Sequence, residues 1–162
     1  MKIGKDQNKL ILSDRRPFIP STADISVGSI IRAVEEFADK YLDDIAIIHT
    51  PKGPTVGTVR VTFDQLAYAI KLAVRYLAND EPVELDFRVM DDEFNVSIFM
   101  VREPELKEAA EICEAFRKAG FSIQGYGLAM RFTTPVKLTK ALSLRQPDTK
   151  IYVMLLEKIF FK

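Results

Sequence analysis

Few side chains in this chain could do chemistry, and they are scattered. His49 is the only histidine, so no cluster of imidazoles can hold a metal. It follows the apolar run Ile45-Ala46-Ile47-Ile48, with no identifiable nucleophile partner. It therefore reads as a solvent-facing residue at a strand end. Cys113 is the only cysteine, and a lone thiol cannot form an internal disulfide. Its neighbours Leu106, Ala109 and Phe116 recur at helical spacing, so it falls on an apolar helix face as a small hydrophobe.

Gly125 and Gly127 are spaced as in loops whose backbone N–H groups cradle a phosphate. No Lys-Ser/Thr pair or Asp accompanies them, so a tight connection after Phe121 accounts for them equally well. Glu84, Asp86, Asp91, Asp92 and Glu93 gather acidic oxygens around one hairpin. They lack the Gly of the sharp turn and the closing Glu of an EF-hand, and they read as the polar face of a strand. Arg131, Lys137, Lys140 and Arg145 make the C-terminal third locally basic. A solvated face explains them, with an anion or acidic-partner site as the other reading.

The 162 residues fit one domain, and an apolar content of 48% supplies a sizeable core. The 23 basic and 23 acidic side chains balance, which removes the cationic surplus expected of a nucleic-acid binder and leaves room only for a local patch. The start, Met1-Lys2-Ile3-Gly4-Lys5-Asp6, lacks the apolar core of a secretion signal. No apolar run approaches the ~18 residues of a membrane span. A cytoplasmic location is the expectation, with no membrane partner.

The elements that must position these residues follow from periodicity. Residues 1–23 read as a leader, with Leu10-Ile11-Leu12 as a short strand and Pro17 and Pro20 keeping the chain extended. Residues 24–162 read as a single domain. A first helix is expected from Val27 to Leu42, capped by Ser26 and apolar at Ile30, Ile31, Val34, Phe37, Ala38 and Tyr41. Strands follow at Ile45–Ile48 and Val56–Val61, joined by the turn Pro51-Lys52-Gly53-Pro54. Thr62-Phe63-Asp64-Gln65 has the pattern of a capping box and opens a second helix that ends near Asn79.

Val83, Leu85, Phe87 and Val89, then Phe94, Val96, Ile98 and Met100, alternate about the turn Asp91-Asp92-Glu93 as a hairpin. A third helix is expected from Pro104, at the first helical position, to Ala119, with Gly120 ending it and Leu106 facing inward. Gly125-Tyr126-Gly127 reads as a turn or loop. Leu128–Phe132 reads as a strand or short helix, and Val136–Leu144 as a strand. Ile151–Phe161 is apolar on both faces and reads as a central, buried strand. The sum is an α+β two-layer sandwich, a mixed, mostly antiparallel sheet with helices on one face.

This order resembles the ATP-binding domain shared by sensor histidine kinases, anti-sigma-factor kinases, gyrase and Hsp90. The likeness covers about residues 24–160. The stretch Asp24-Ile25-Ser26-Val27-Gly28-Ser29-Ile30-Ile31-Arg32-Ala33-Val34-Glu35-Glu36-Phe37 is similar to the family's entry helix. Phe63–Tyr76 is similar to the helix that carries an Asn for Mg²⁺ in a pattern like Asn-Ala-x-Lys-Tyr. The corresponding residues here are Leu72-Ala73-Val74-Arg75-Tyr76, and Leu72 has no oxygen to offer a hard cation. The family's Asp-x-Gly-x-Gly adenine loop follows the second hairpin strand. Val101-Arg102-Glu103-Pro104-Glu105 stands there instead. Gly125-Tyr126-Gly127-Leu128-Ala129 resembles the second glycine box.

The resemblance implies a signalling scaffold without its nucleotide motifs. The expectation is a non-catalytic regulatory or protein-interaction domain, with no cofactor and a protein partner. Homo-oligomer formation is left open. The alternative is an ATP-binding, anti-sigma-factor-like serine kinase or nucleotide switch, in which ATP and Mg would meet Lys71, Arg75, Glu103, Gly125 and Gly127. An enzyme of an unrelated α+β family ranks below both, since function resides in sites and not in folds.

Overall fold

A computed structural model of the chain describes residues 22–53, 55–99, 103–126, 129–138 and 149–162. Strand β1 (Ala23–Ser26) runs directly into helix α1 (Val27–Tyr41), and Ser26 serves as both last strand residue and N-cap. Its hydroxyl oxygen accepts the Ser29 N–H at 3.3 Å, filling one of the helix's orphan donors. Strands β2 (Ala46–His49) and β3 (Thr58–Val61) follow, then helix α2 (Phe63–Leu77). The hairpin is β4 (Val83–Met90) and β5 (Glu93–Phe99). Helix α3 (Leu106–Ala119), strands β6 (Ser122–Tyr126) and β7 (Ala129–Pro135) and helix α4 (Thr149–Phe160) complete the chain.

The main sheet has the order β2-β4-β5-β7-β6, parallel only between β2 and β4. A separate two-stranded sheet pairs β1 with β3 in antiparallel fashion. Alternation divides the main sheet. Leu85, Phe87, Phe94, Val96, Ile98, Met130 and Phe132 are buried in the shared core, while Asp86, Arg88, Asn95 and Arg131 take the intervening positions. Across the helix layer, α4 packs against both α1 and α2, and α2 packs against α3. This is an α+β sandwich of four helices on a mixed, mostly antiparallel sheet, as the sequence led us to expect. None of the described helices is long and apolar enough to cross a membrane.

Five local expectations are corrected. Ile151–Phe161 is not a central strand but lies mostly in α4, where Tyr152, Leu155 and Leu156 are buried at helical spacing. It is apolar on both faces because α1 and α2 flank it together. The Asp91-Asp92-Glu93 turn is tighter than expected: Asp91 and Asp92 alone turn the hairpin with φ of 53° and 62°, and Glu93 opens β5. Thr62 precedes α2 but forms no side-chain cap. Its hydroxyl instead meets that of Thr22 at 2.8 Å.

Helix α3 starts at Leu106 rather than Pro104, because Glu105 is the N-cap and the Glu108 carboxylate reaches back to its N–H at 3.1 Å. Leu106 accordingly points outward and is 87% exposed. Gly125 and Tyr126 belong to β6, not to a loop. In the region expected as a strand over Val136–Leu144, Lys137 makes a single antiparallel bridge to Thr58, and 139–144 lie outside the described residues. Residues 1–21, with the expected Leu10-Ile11-Leu12 strand, also lie outside them.

Candidate functional site

Helices α2 and α3 run antiparallel, since the Thr62 N–H at the start of α2 donates to the Ala119 carbonyl at the end of α3, 3.0 Å away. Between them lies a groove of about 350 Å³. On α2 its wall is Gln65, Tyr68 and Leu72, one stripe at helical spacing. On α3 it is Lys107, Glu111, Glu114 and Lys118, a second stripe, with Ala110 and Ala115 between them. The floor is apolar. Leu72 is 5% exposed and Ala115 is buried. Tyr76 donates its phenol hydrogen to Glu111 across the two helices.

The charges along the groove are partly spent. The Arg117 guanidinium grips Glu114 with two contacts of 2.9 and 2.6 Å. This hydrogen bonding holds the Glu114 carboxyl below its usual range, with Lys118 adding to the same field. The hydrogen bond to Glu111, reinforced by burial, raises the Tyr76 phenol above its ordinary value. Lys107 and Lys118 form no ion pair among the described residues.

A second concavity of about 380 Å³ lies on the sheet face away from the core, lined by Asp86, Arg88, Asn95, Ser97, Gln124 and Arg131 among others. Its groups bond to one another: Arg88 contacts Asp86 at 2.6 Å, and Arg131 Nε donates to Ser97 Oγ at 3.2 Å. His49 stands at the end of β2, exposed, and meets Glu84 at 2.9 Å.

The residues named for a nucleotide are not assembled. Lys71 Nζ donates to the Ile159 carbonyl at 3.0 Å and so ties α2 to α4. Arg75 is exposed near the C-terminal end of α2. Glu103 is exposed before α3. Gly125 sits in the edge strand β6, paired with Arg131, at a φ that needs no glycine. Gly127 and Arg102 lie outside the described residues. No cavity described above gathers two of the five.

Leu72 is buried on the α2 face that looks toward α3. Cys113 is half-buried and packs against the core, and burial pushes its thiol up. The sequence reading passed over Tyr68 and the α3 stripe. The spacing 107, 111, 114 and 118 was the available signal, since these positions follow one side of a helix.

No family model matches the sequence, and no curated protein matches it. Among solved structures the chain is similar to histidine-kinase domains. One is the cytoplasmic segment of histidine kinase QseC, with a TM-score of 0.45 and 11% identity over 75% of this chain and 82% of that one. Another is the catalytic domain of histidine kinase ThkA, with 0.45 and 12% over 73% and 97%. A third is Acinetobacter baumannii histidine kinase AdeS, with 0.43 and 13% over 74% and 68%. Likeness at this level concerns the course of the backbone, and the chemistry has to come from the residues themselves.

Proposed function

We propose that this chain is a non-catalytic regulatory or protein-interaction domain, built on a histidine-kinase-type scaffold and working in cytoplasmic signalling. The observation that carries the reading is Leu72. It takes the place where the family pattern has an Mg²⁺-binding Asn, and it is a buried hydrocarbon against α3. A hard cation needs oxygen ligands, and a leucine offers none. Support also comes from Tyr76, two positions after Ala-x in that pattern, whose phenol is engaged by Glu111 on α3. Lys71, one position before Leu72, is engaged by α4.

On this reading the α2–α3 surface is used for contact with another protein, with no nucleotide or metal as cofactor. A ligand that binds only the folded state raises the melting temperature by mass action. The melting temperature is expected to stay flat up to millimolar ATP with Mg²⁺. A rise that grows with nucleotide concentration and vanishes with chelator would favour the nucleotide switch instead.

A further inference from the structure

We infer that the open edge of β2 takes an extended segment of a partner protein as an added strand, one in which basic and apolar residues alternate. The inference adds a second contact surface to the interaction-domain reading and does not rest on Leu72. Three features of the edge specify the occupant.

The first is the backbone. β2 ends the main sheet, and no described strand lies beyond it. The Val83 N–H donates to the Ile45 carbonyl at 3.0 Å, and Ala46 pairs with Val83 in parallel register. In such a ladder alternate residues turn their polar groups to the neighbour, so Ile45 and Ile47 face β4 and Ala46 and Ile48 face outward. The Ala46 N–H is taken by the Leu42 carbonyl at 2.9 Å. The Ala46 carbonyl and both backbone groups of Ile48 are left to template another strand.

The second is the charge on one side of that edge. The turn after α1 brings β2 back beside the last turns of the helix, and a cavity of about 290 Å³ lies between them. Its lining holds three acids, Glu35, Asp39 and Asp43, and no base. Asp39 and Asp43 form no ion pair among the described residues. Glu35 accepts the Thr50 hydroxyl, a neutral group that leaves its charge in place. The neighbouring Lys40 turns away to Glu157 on α4, at 3.7 Å. Basic side chains on an incoming strand complement this wall.

The third is the opposite side and the spacing. Ala46 is buried against the core, so by alternation Ile45 and Ile47 face the other way, where they are 42% and 41% exposed. Apolar side chains on the occupant's second face would cover them. Glu35 and Asp39 are four helical residues apart, about 6 Å of rise, and every second residue of an extended chain advances about 6.6 Å. Bases at alternate positions therefore keep step with the acids of α1.

Three short fluorescent peptides test this on the full chain. One alternates Lys with Val, the second alternates Glu with Val, and the third is the Lys peptide N-methylated at alternate amides, which blocks pairing along one edge. Anisotropy should show the Lys peptide binding about tenfold or more tighter than either of the others. The double variant Asp39→Lys with Asp43→Lys should abolish that preference. Both positions are exposed, and an unchanged circular-dichroism melt confirms folding. Should that variant melt early, Asp39→Asn with Asp43→Asn is expected to weaken the Lys peptide severalfold. The Ile48 amide should exchange with deuterium more slowly once the Lys peptide is bound. Equal binding of the Lys and Glu peptides, equal binding of the N-methylated peptide, binding of none, or a preference that survives the acid variants overturns the inference. So does unchanged exchange at Ile48, which would place the peptide elsewhere. Magnesium ATP titrated in the same assay separates the two claims. Nucleotide binding would overturn the reading built on Leu72 and leave the edge result standing, whereas peptide failure without nucleotide binding removes only the edge.

Discussion

Tyr76 on α2 and Glu111 on α3, 35 positions apart in sequence, form the hydrogen bond that fastens the two groove helices together. The phenol must keep its proton to donate, which is why its pKa lies above the ordinary value. A raised acid of this kind contributes stability below its unfolded value of 10.0, and that contribution disappears as pH climbs through the folded value. Tyr76→Phe should lower the urea midpoint at pH 7 with an unchanged slope. It should also remove one late-titrating phenol from the alkaline absorbance titration. An unchanged midpoint and titration curve would show that the contact does not hold in solution.

Gly57 and Gly125 make opposite demands. Gly57 has φ of +102°, and an added Cβ would collide with Val136 Cγ1 where Thr58 bridges to Lys137. Gly57→Ala should cost on the order of 2 kcal/mol. At Gly125 a Cβ meets open space and φ is not positive. Gly125→Ala should shift stability by less than about 0.5 kcal/mol. Chemical denaturation of both variants checks the pair, and a large loss at Gly125 would show that the glycine has a task the fold does not explain.

Much of this architecture could be read from residue spacing alone. The faces of α1 and α2 and the β4–β5 alternation appear where 3.6- and 2-residue periods place them, because each element has one dry side and one wet side. The segment at 151–161 defeated that logic. Packed against α1 and α2 at once, its stripe is so wide that Ile151, Val153, Ile159 and Phe160 are partly buried beside Tyr152, Leu155 and Leu156. Length was the clue, since eleven residues exceed an ordinary strand of about five or six. Strand β1 was hidden because its last residue, Ser26, is also a helix cap. Leu72 was recognisable on its stripe. The α3 half of the groove was not, because its charged residues look like any solvated helix side until α2 is placed beside them.

Helix α4 is part of the core. Leu156 is buried to 1% exposure, and Tyr41 Oη donates to Glu157 at 2.7 Å from α1. Leu156→Ala should cost about 2–5 kcal/mol in denaturant titrations, as for a core leucine whose cavity collapses only in part. A loss below about 0.5 kcal/mol would be that of a surface position and would contradict the packing of α4.

Cys113 should behave as a slow thiol. Burial disfavours its thiolate, so alkylation by iodoacetamide at pH 8 should lag well behind a free cysteine and approach it only under denaturant. Native-state reaction at the free-cysteine rate would show that the helix face opens there.

The central claim is that the position of the nucleotide motif is held by a buried Leu72 and that the scaffold serves contact instead. Isothermal titration of the full chain with ATP and with ADP, each with and without Mg²⁺, tests it most directly. The account predicts only heats of dilution at millimolar nucleotide. A saturable, Mg²⁺-dependent isotherm would contradict it.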